Sequence, residues 1–203
     1  MQSEHGSSVH ESKPERGSFS PEVVRRLKQE GYQIFTLDGD SLRILQEKRK
    51  ISSSYAADYF NINDGHSELR QIAILPNQLF LPVLPVKEVY KPGSFPHIPR
   101  KTFQQQEKDV EEYSRRFSKT IGGTKAIIGQ ISDYAAIASL YLEESENYIF
   151  DAFLYVQDRS PKGDNLLAFV GRHMAGIGVS VYQWDAHLDG NRQPKVAPLI
   201  IPA

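Results

Sequence analysis

Apolar and polar positions in the first quarter of the chain predict a short helix, a strand and a second short helix. Ser20 followed by proline favours a helix start, because the hydroxyl caps free N–H groups and proline at the first helical position loses no hydrogen bond. This helix is predicted to span residues 21–30 and to end at Gly31. An alternating stretch at 32–37 predicts a strand, and a second helix is predicted over 41–48.

The clearest periodicity in the chain predicts a helix at 102–121. Its apolar residues recur at spacings that place them on one face of an α-helix. They are Phe103, Val110, Tyr113, Phe117 and Ile121. Thr102 and Gln105 form a capping box at its start, and the glycine pair at 122–123 ends it.

Strand-like segments dominate the chain after residue 123. They are predicted at 125–128, 137–142, 148–156, 166–170, 179–184 and 196–201, with a further strand before the long helix at 69–75. A polar turn separates 137–142 from 148–156, so we expect these two segments to pair as a hairpin. Pro198 cannot donate to a strand ladder, which suits an edge position for the last strand.

These elements predict an α+β fold. Consecutive strands joined by short turns favour antiparallel pairing, so we expect the C-terminal half to form a twisted, mainly antiparallel sheet. The helix at 102–121 is expected to pack on one face of it. We expect one domain over 20–203, composed of a small helix–strand–helix subdomain at 20–65, a proline-rich extended segment at 66–101 and a helix-plus-sheet core at 102–203.

Two segments depart from this regular pattern. Residues 1–19 are polar and bury too little apolar surface to offset the entropy of ordering, so they are expected to form a disordered tail. The Pro76–Pro99 segment holds six prolines in 24 residues, which excludes an interior helix or a central strand. Because it is also apolar, this segment can pack on its own core, or bind a protein partner or a second copy by adding to a sheet edge.

Charge and composition narrow the classes of protein to which the chain can belong. The net charge is −1, without the basic excess usual in nucleic-acid-binding proteins. The absence of cysteine excludes disulfides, thiolate metal sites and cysteine nucleophiles. The N-terminal residues lack the apolar stretch of a secretory signal, and no run approaches the roughly 18 apolar residues of a membrane span. We therefore expect a cytoplasmic protein with no membrane partner.

A glycine-rich segment at 171–178 is a candidate binding site. Its candidate ligand-binding residues are Arg172, Gly176 and Gly178, because glycines let backbone N–H groups approach a phosphate and the guanidinium adds positive charge. The strand–glycine turn–helix order of a dinucleotide-binding motif is missing, since strands are predicted on both sides. The same glycines would serve a turn or bulge equally well.

Candidate catalytic residues cluster near the same segment. Asp185, His187 and Asp189 alternate, so an extended chain would place them on one side, and His173 would join them if two strands pair. A histidine beside a carboxylate can act as a general base, with or without a divalent metal. The alternative is a polar strand end that faces solvent. No cofactor and no resident metal ion is predicted.

Two basic clusters support a further hypothesis. They consist of Arg25, Arg26 and Lys28 on the first helix and of Lys48, Arg49 and Lys50 after the second. If the two helices fold back on each other, these clusters would share a face that could bind nucleic acid. Acidic residues interleave with them, however, as on an ordinary solvated helix surface.

The sequence therefore leaves three functions open. The first is a non-enzymatic interaction or structural protein that binds a protein partner or self-associates. The second is a small hydrolase that uses the His/Asp cluster near 172–189, with or without metal. The third and least favoured is nucleic-acid binding through the basic clusters.

Overall fold

The fold is seen in a computed structural model of the chain. The structure describes residues 17–48, 50–51, 53–54, 70–76, 103–150, 156–157, 166–173, 176–183 and 196–203. Within these ranges the predicted α+β class is confirmed, with helices packed against mainly antiparallel strands.

Helices and strands follow one another along the described chain. The helices are α1 (Pro21–Gln29), α2 (Leu42–Glu47), α3 (Phe103–Thr120) and α4 (Ile131–Ser145). The strands are β1 (Gln33–Leu37), β2 (Ser53–Ser54), β3 (Arg70–Ile74), β4 (Thr124–Ile127), β5 (Val156–Gln157), β6 (Leu166–His173), β7 (Gly176–Gln183) and β8 (Leu199–Pro202). The three helices predicted before residue 122 and the strands predicted at 32–37, 69–75 and 125–128 are confirmed.

The serine caps predicted for the first two helices are formed. The Oγ atoms of Ser20 and Ser41 each accept a hydrogen bond from the backbone N–H three residues ahead, at 3.3 Å. Such caps contribute about 1 kcal/mol each. The direction in which the chain enters α1 and α2 is therefore set by local sequence.

The first sheet has the strand order β1–β3–β8–β4, and its neighbouring strands are antiparallel. Side chains alternate between its two faces, as the period of a strand requires. One face carries Phe35, Leu37, Ile72, Ile74, Leu199 and Ile201, and the other carries Ile34, Ala73, Ala126 and Ile200. Helices α1 and α3 cover the second of these faces through Val23, Leu27 and Val110.

Helix α4 lies between the first sheet and a second one. Its residues 131–139 are buried, and its apolar side chains share a core with β1, β3 and β8 and with Val170, Ile177 and Val179 of the second sheet. The second sheet has the order β2–β7–β6–β5, in which β2 joins β7 in parallel. The layers therefore run from α1 and α3 through the first sheet and α4 to the second sheet.

The strand predicted at 137–142 is wrong, because these residues lie within α4. Since α4 is packed on several sides, its apolar residues form no single stripe, and the helical period disappears from the sequence. The hairpin predicted between 137–142 and 148–156 is wrong for the same reason. Of the latter segment, Val156 lies in β5, whose partner is β6.

The edge position predicted for the last strand is also wrong, because β8 lies between β3 and β4. Pro198 precedes β8, so the ladder requires no N–H from it. Pro202 pairs with Thr124, and this position tolerates proline because Ala126, two residues further along β4, directs its N–H away from β8. Backbone groups at 124 and 202 therefore point away from each other.

The two irregular segments lie largely outside the described residues. Of the predicted tail 1–19, the structure describes Gly17 to Phe19: Phe19 is buried in the core under α1, and the Gly17 carbonyl accepts a hydrogen bond from Gln71 N–H at 2.8 Å. The folded chain thus begins before Ser20. Of the Pro76–Pro99 segment, Pro76 alone is described, so its proposed packing or partner binding stays a prediction.

Candidate functional site

The described part of the glycine-rich segment forms a hairpin of the second sheet. Gly176 pairs with His173, and Gly178 pairs with Gly171, so both predicted ligand-binding glycines occupy ladder positions of β7. Strand β6 ends at His173 and β7 begins at Gly176. The glycines here serve a strand pairing, and their role in binding a ligand stays a prediction.

Arg172 is exposed at the end of β6 and is held by two local contacts. Its guanidinium lies over the Tyr148 ring, 4.8 Å from the ring centroid. Its backbone N–H donates to the Phe150 carbonyl at 3.1 Å. An exposed cation–π contact contributes about 0.5–1 kcal/mol. Arg172 therefore attaches β6 to the segment that follows α4, and its predicted ligand contact stays a prediction.

The catalytic hypothesis concerns residues that lie mostly outside the described chain. Asp185 and His187 are not among the described residues, and only the backbone of His173 is described, at the end of β6. Within the described ranges, no group of three or more His, Asp or Glu side chains is arranged to hold a metal ion. The hydrolase hypothesis stays a prediction.

Helix α1, which carries the first basic cluster, and helix α2, which precedes the second, lie on opposite faces of the first sheet. Helix α1 belongs to the core shared with α3, whereas α2 inserts Leu42 and Leu45 into the core around α4. Ion pairs join Arg25 to Glu22 and Lys48 to Asp40 at 2.6 Å, and Lys50 to Glu143 at 3.4 Å. The common basic face that nucleic-acid binding requires is therefore not formed by α1 and α2.

A buried ion pair joins β3 to the first turn of α4. Arg70 Nη2 lies 2.9 Å from Asp133 Oδ2, and their side chains are 14% and 0% exposed. The same carboxylate oxygen accepts the Gln130 N–H at 3.0 Å. Because the carboxylate also lies at the positive end of the helix dipole, three favourable interactions offset its desolvation. This pair fixes α4 against the first sheet.

The tyrosine next to this pair attaches the same turn to the segment that precedes β8. The Tyr134 hydroxyl donates to the Ala197 carbonyl at 2.7 Å and accepts from Gly129 N–H at 3.1 Å. All three groups are buried, so both hydrogen bonds satisfy atoms that water does not reach. Asp133 Oδ2 and the Tyr134 hydroxyl thus bond to groups of the fold itself, and we assign both a structural role.

A second polar contact lies in the layer of α1 and α3. The phenol oxygens of Tyr32 and Tyr113 are 2.9 Å apart, and the Phe117 ring packs against both side chains. Burial raises the pKa of the Tyr32 phenol well above its ordinary value of 10.0, and the hydrogen bond with Tyr113 raises it further. Tyr32 therefore stays protonated in the folded chain at a pH where an unfolded tyrosine ionises.

Replacing Tyr32 by phenylalanine should change the pH dependence of stability above pH 10. The folded chain retains a proton that the unfolded chain releases, so this group's contribution is complete below pH 10.0 and is lost as the pH rises toward the higher folded pKa. Relative to Tyr32→Phe, the native chain should lose up to about 1.4 kcal/mol per pH unit in this range. Urea unfolding at pH 8 and above pH 10 measures the difference. Parallel curves for the two proteins would contradict the assignment.

One outer edge of the first sheet is closed by a helix. The edge of β4 that points away from β8 faces α3, and the backbone N–H of Ala126 donates to Ser114 Oγ of that helix at 2.8 Å. Lys125, in the middle of β4, is exposed and charged. Covering helices and lysines are the usual means by which proteins block pairing at an edge strand.

The opposite edge, strand β1, carries none of these protective features. Its sequence is Gln-Ile-Phe-Thr-Leu, with no charge, proline or glycine. Gln33 and Thr36 are exposed and Ile34 is half-buried, while Phe35 and Leu37 are buried. Among the described strands, β3 alone pairs with β1. The edge strands of the second sheet, β2 and β5, are described over two residues each.

The direction of the backbone groups in β1 follows from a contact of β3. Gln71 is opposite Thr36 and donates its N–H to Gly17, on the side of β3 that faces away from β1. In an antiparallel ladder, opposite residues direct their polar groups both toward or both away from each other. The N–H and C=O of Thr36, and those of Ile34 by the period of two, therefore point to the outer edge of the sheet.

The sequence analysis singles out neither Ile34 nor Thr36, the two residues whose backbone groups point to this edge. The alternating stretch at 32–37 predicts a strand, but its place at an edge depends on which strands pair in space. A search of the family models, the curated proteins and the solved structures found no match to this chain. None of the described helices is both long and apolar enough to cross a membrane.

Proposed function

We propose that this chain is a protein-binding domain that accepts an extended segment along the outer edge of β1. The observation that carries the proposal is the outward direction of the backbone groups of Ile34 and Thr36, which the Gln71–Gly17 hydrogen bond fixes. Two residues whose amide and carbonyl groups point outward form the start of a new ladder. An added strand would extend the first sheet beyond β1.

The side chains of β1 fit this role. Phe35 and Leu37 hold the strand in the core, so the edge is rigid before a partner arrives. Ile34 is half-buried and Thr36 is exposed on the other face, where they can meet alternate side chains of the incoming segment. Main-chain hydrogen bonds supply affinity in this mode of binding, and the side chains of Ile34 and Thr36 supply selectivity.

Hydrogen exchange of the β1 amides tests the proposal directly. The probe is a synthetic peptide of alternating valine and threonine flanked by lysines, because ladder hydrogen bonds need no particular sequence. In dilute protein without peptide, the amides of Ile34 and Thr36 should exchange quickly, while those of Gln33, Phe35 and Leu37 are protected by β3. The peptide should slow exchange at Ile34 and Thr36 at least ten-fold. Slow exchange at these two residues in dilute protein without peptide would overturn the proposal.

Proline substitutions at two exposed residues of β1 distinguish the N–H groups that point to the outer edge from those that point to β3. Thr36→Pro removes an outward N–H that the β1–β3 ladder does not use, so the fold should lose no more than about 1 kcal/mol, while peptide protection of Ile34 disappears. Gln33→Pro is the matched control. It removes an N–H directed at β3, and should lower stability but leave peptide binding at Thr36 unchanged. Circular dichroism during urea unfolding measures the loss of stability, and hydrogen exchange measures peptide binding. Equal peptide binding by the native protein and by Thr36→Pro would contradict the assignment.

A further inference from the structure

We infer that the segment bound at the β1 edge is β1 of a second copy of this chain, paired antiparallel about a two-fold axis at Phe35. This inference rests on the proposed function and names its partner. The two first sheets would join into one continuous sheet of eight strands across the dimer. In this arrangement Ile34 of each copy is opposite Thr36 of the other.

The outward groups of β1 are self-complementary in this register. A two-fold axis at position 35 places Ile34 opposite the partner's Thr36, and both residues direct their N–H and C=O groups toward each other. Four main-chain hydrogen bonds result, two at each of the symmetric pairs. All of them come from residues within the strand.

The neighbouring two-fold registers are excluded by contacts within the chain. An axis at Ile34 would require the N–H of Tyr32, which already donates to the Leu27 carbonyl at 2.9 Å. An axis at Thr36 would require Asp38, which lies outside β1 and precedes Gly39, whose φ of 78° turns the chain away from the strand direction. The axis at Phe35 alone uses residues whose backbone groups are extended and available.

The side chains agree with self-pairing. On the face that α1 and α3 partly cover, the half-buried Ile34 would contact the exposed Thr36 of the other copy, a β-branched pair suited to neighbouring strands. Strand β1 carries no charge, and the two Asp38 carboxylates would be about 20 Å apart at opposite ends of the joint. Like charges therefore do not oppose one another across the axis.

Sedimentation equilibrium of the full chain tests whether this dimer forms. As the protein concentration rises from about 1 μM to about 1 mM, the average mass should increase from 23.0 kDa toward twice that value. Thr36→Pro should stay at the monomer mass over the same range, and Gln33→Pro should still dimerise. A native chain that remains monomeric overturns this inference. A dimer that persists in Thr36→Pro uses another surface and overturns it as well.

Disulfide crosslinking tests the register. The chain has no cysteine, so single substitutions report one contact each. An equimolar mixture of Ile34→Cys and Thr36→Cys, carrying tags of different size, should form a mixed disulfide at least ten-fold faster than either variant crosslinks alone. Fast crosslinking of Thr36→Cys alone, or of Ile34→Cys alone, would place the axis elsewhere and overturn the register.

The two proposals fail in different ways. If the native chain is monomeric but the valine–threonine peptide still protects Ile34 and Thr36, the edge binds strands and the second copy is not its partner. If the peptide leaves both amides unchanged and the mass also stays at 23.0 kDa, the proposed function and the dimer fail together.

Discussion

Replacing Asp133 by alanine should destabilise the fold by about 3–5 kcal/mol, because it removes the carboxylate that lies 2.9 Å from the largely buried Arg70 guanidinium. The substitution also removes the acceptor of the Gln130 N–H at the start of α4. Chemical unfolding of the two proteins at pH 7 measures the loss. Combining Asp133→Ala with Arg70→Met should cost less than the sum of the single changes, since the double variant removes both charges of this pair.

The other end of α4 offers a matched control. Glu143 pairs with Lys50 at 3.4 Å, but its side chain is 54% exposed, and exposed pairs contribute about 0–1 kcal/mol. Glu143→Ala should therefore leave stability nearly unchanged. Equal losses for Asp133→Ala and Glu143→Ala would show that burial of the Arg70 pair does not determine its contribution.

Replacing Gly129 by alanine should cost about 1–3 kcal/mol, because there is no room for a methyl group between α4 and β8. A Cβ at this position would collide with Leu199 Cδ1 and lie 3.3 Å from Asp133 Cβ. Both neighbouring side chains are fully buried and have little space into which they can move. Thermal unfolding in a calorimeter should show a clear decrease in Tm.

Gly122 is the matched control for this substitution, since a Cβ there meets nothing within 4 Å. Gly122→Ala should leave stability unchanged or raise it by up to about 1 kcal/mol through the entropy of the unfolded chain. Leu199→Val removes the atom that collides with the new methyl group, so Gly129→Ala combined with Leu199→Val should lose less than the two changes added. Strict additivity would contradict the steric explanation.

The sequence predicted well the elements that have one buried face. The stripe ending in Phe117 and Ile121 predicted α3 because α3 lies on the surface and buries that stripe alone, and the serine caps located α1 and α2. Helix α4 was missed because it contacts both sheets, so that Tyr134, Ala135 and their neighbours are buried on every side. Hydrophobic periodicity arises where a helix has one face in the core and one in solvent. The first nine residues of α4 are all buried, so they show no such period.

The candidate site could not be predicted in the same way. Whether a strand lies at an edge depends on pairing between distant parts of the chain, here of β1 with β3 and of β3 with β8. Pro198 indicated an edge for the last strand, but it lies one residue before the ladder begins. The outward direction of Thr36 follows from a hydrogen bond between Gly17 and Gln71, residues 54 positions apart, which no local pattern encodes.

The central position of β8 has a consequence for how the first sheet folds. Strands β3 and β4 meet β8 from either side, and β8 spans residues 199–202. Until β8 is in place, β3 and β4 share no neighbouring strand in the first sheet. Assembly of this sheet therefore depends on contacts between distant parts of the chain, and such contacts slow folding.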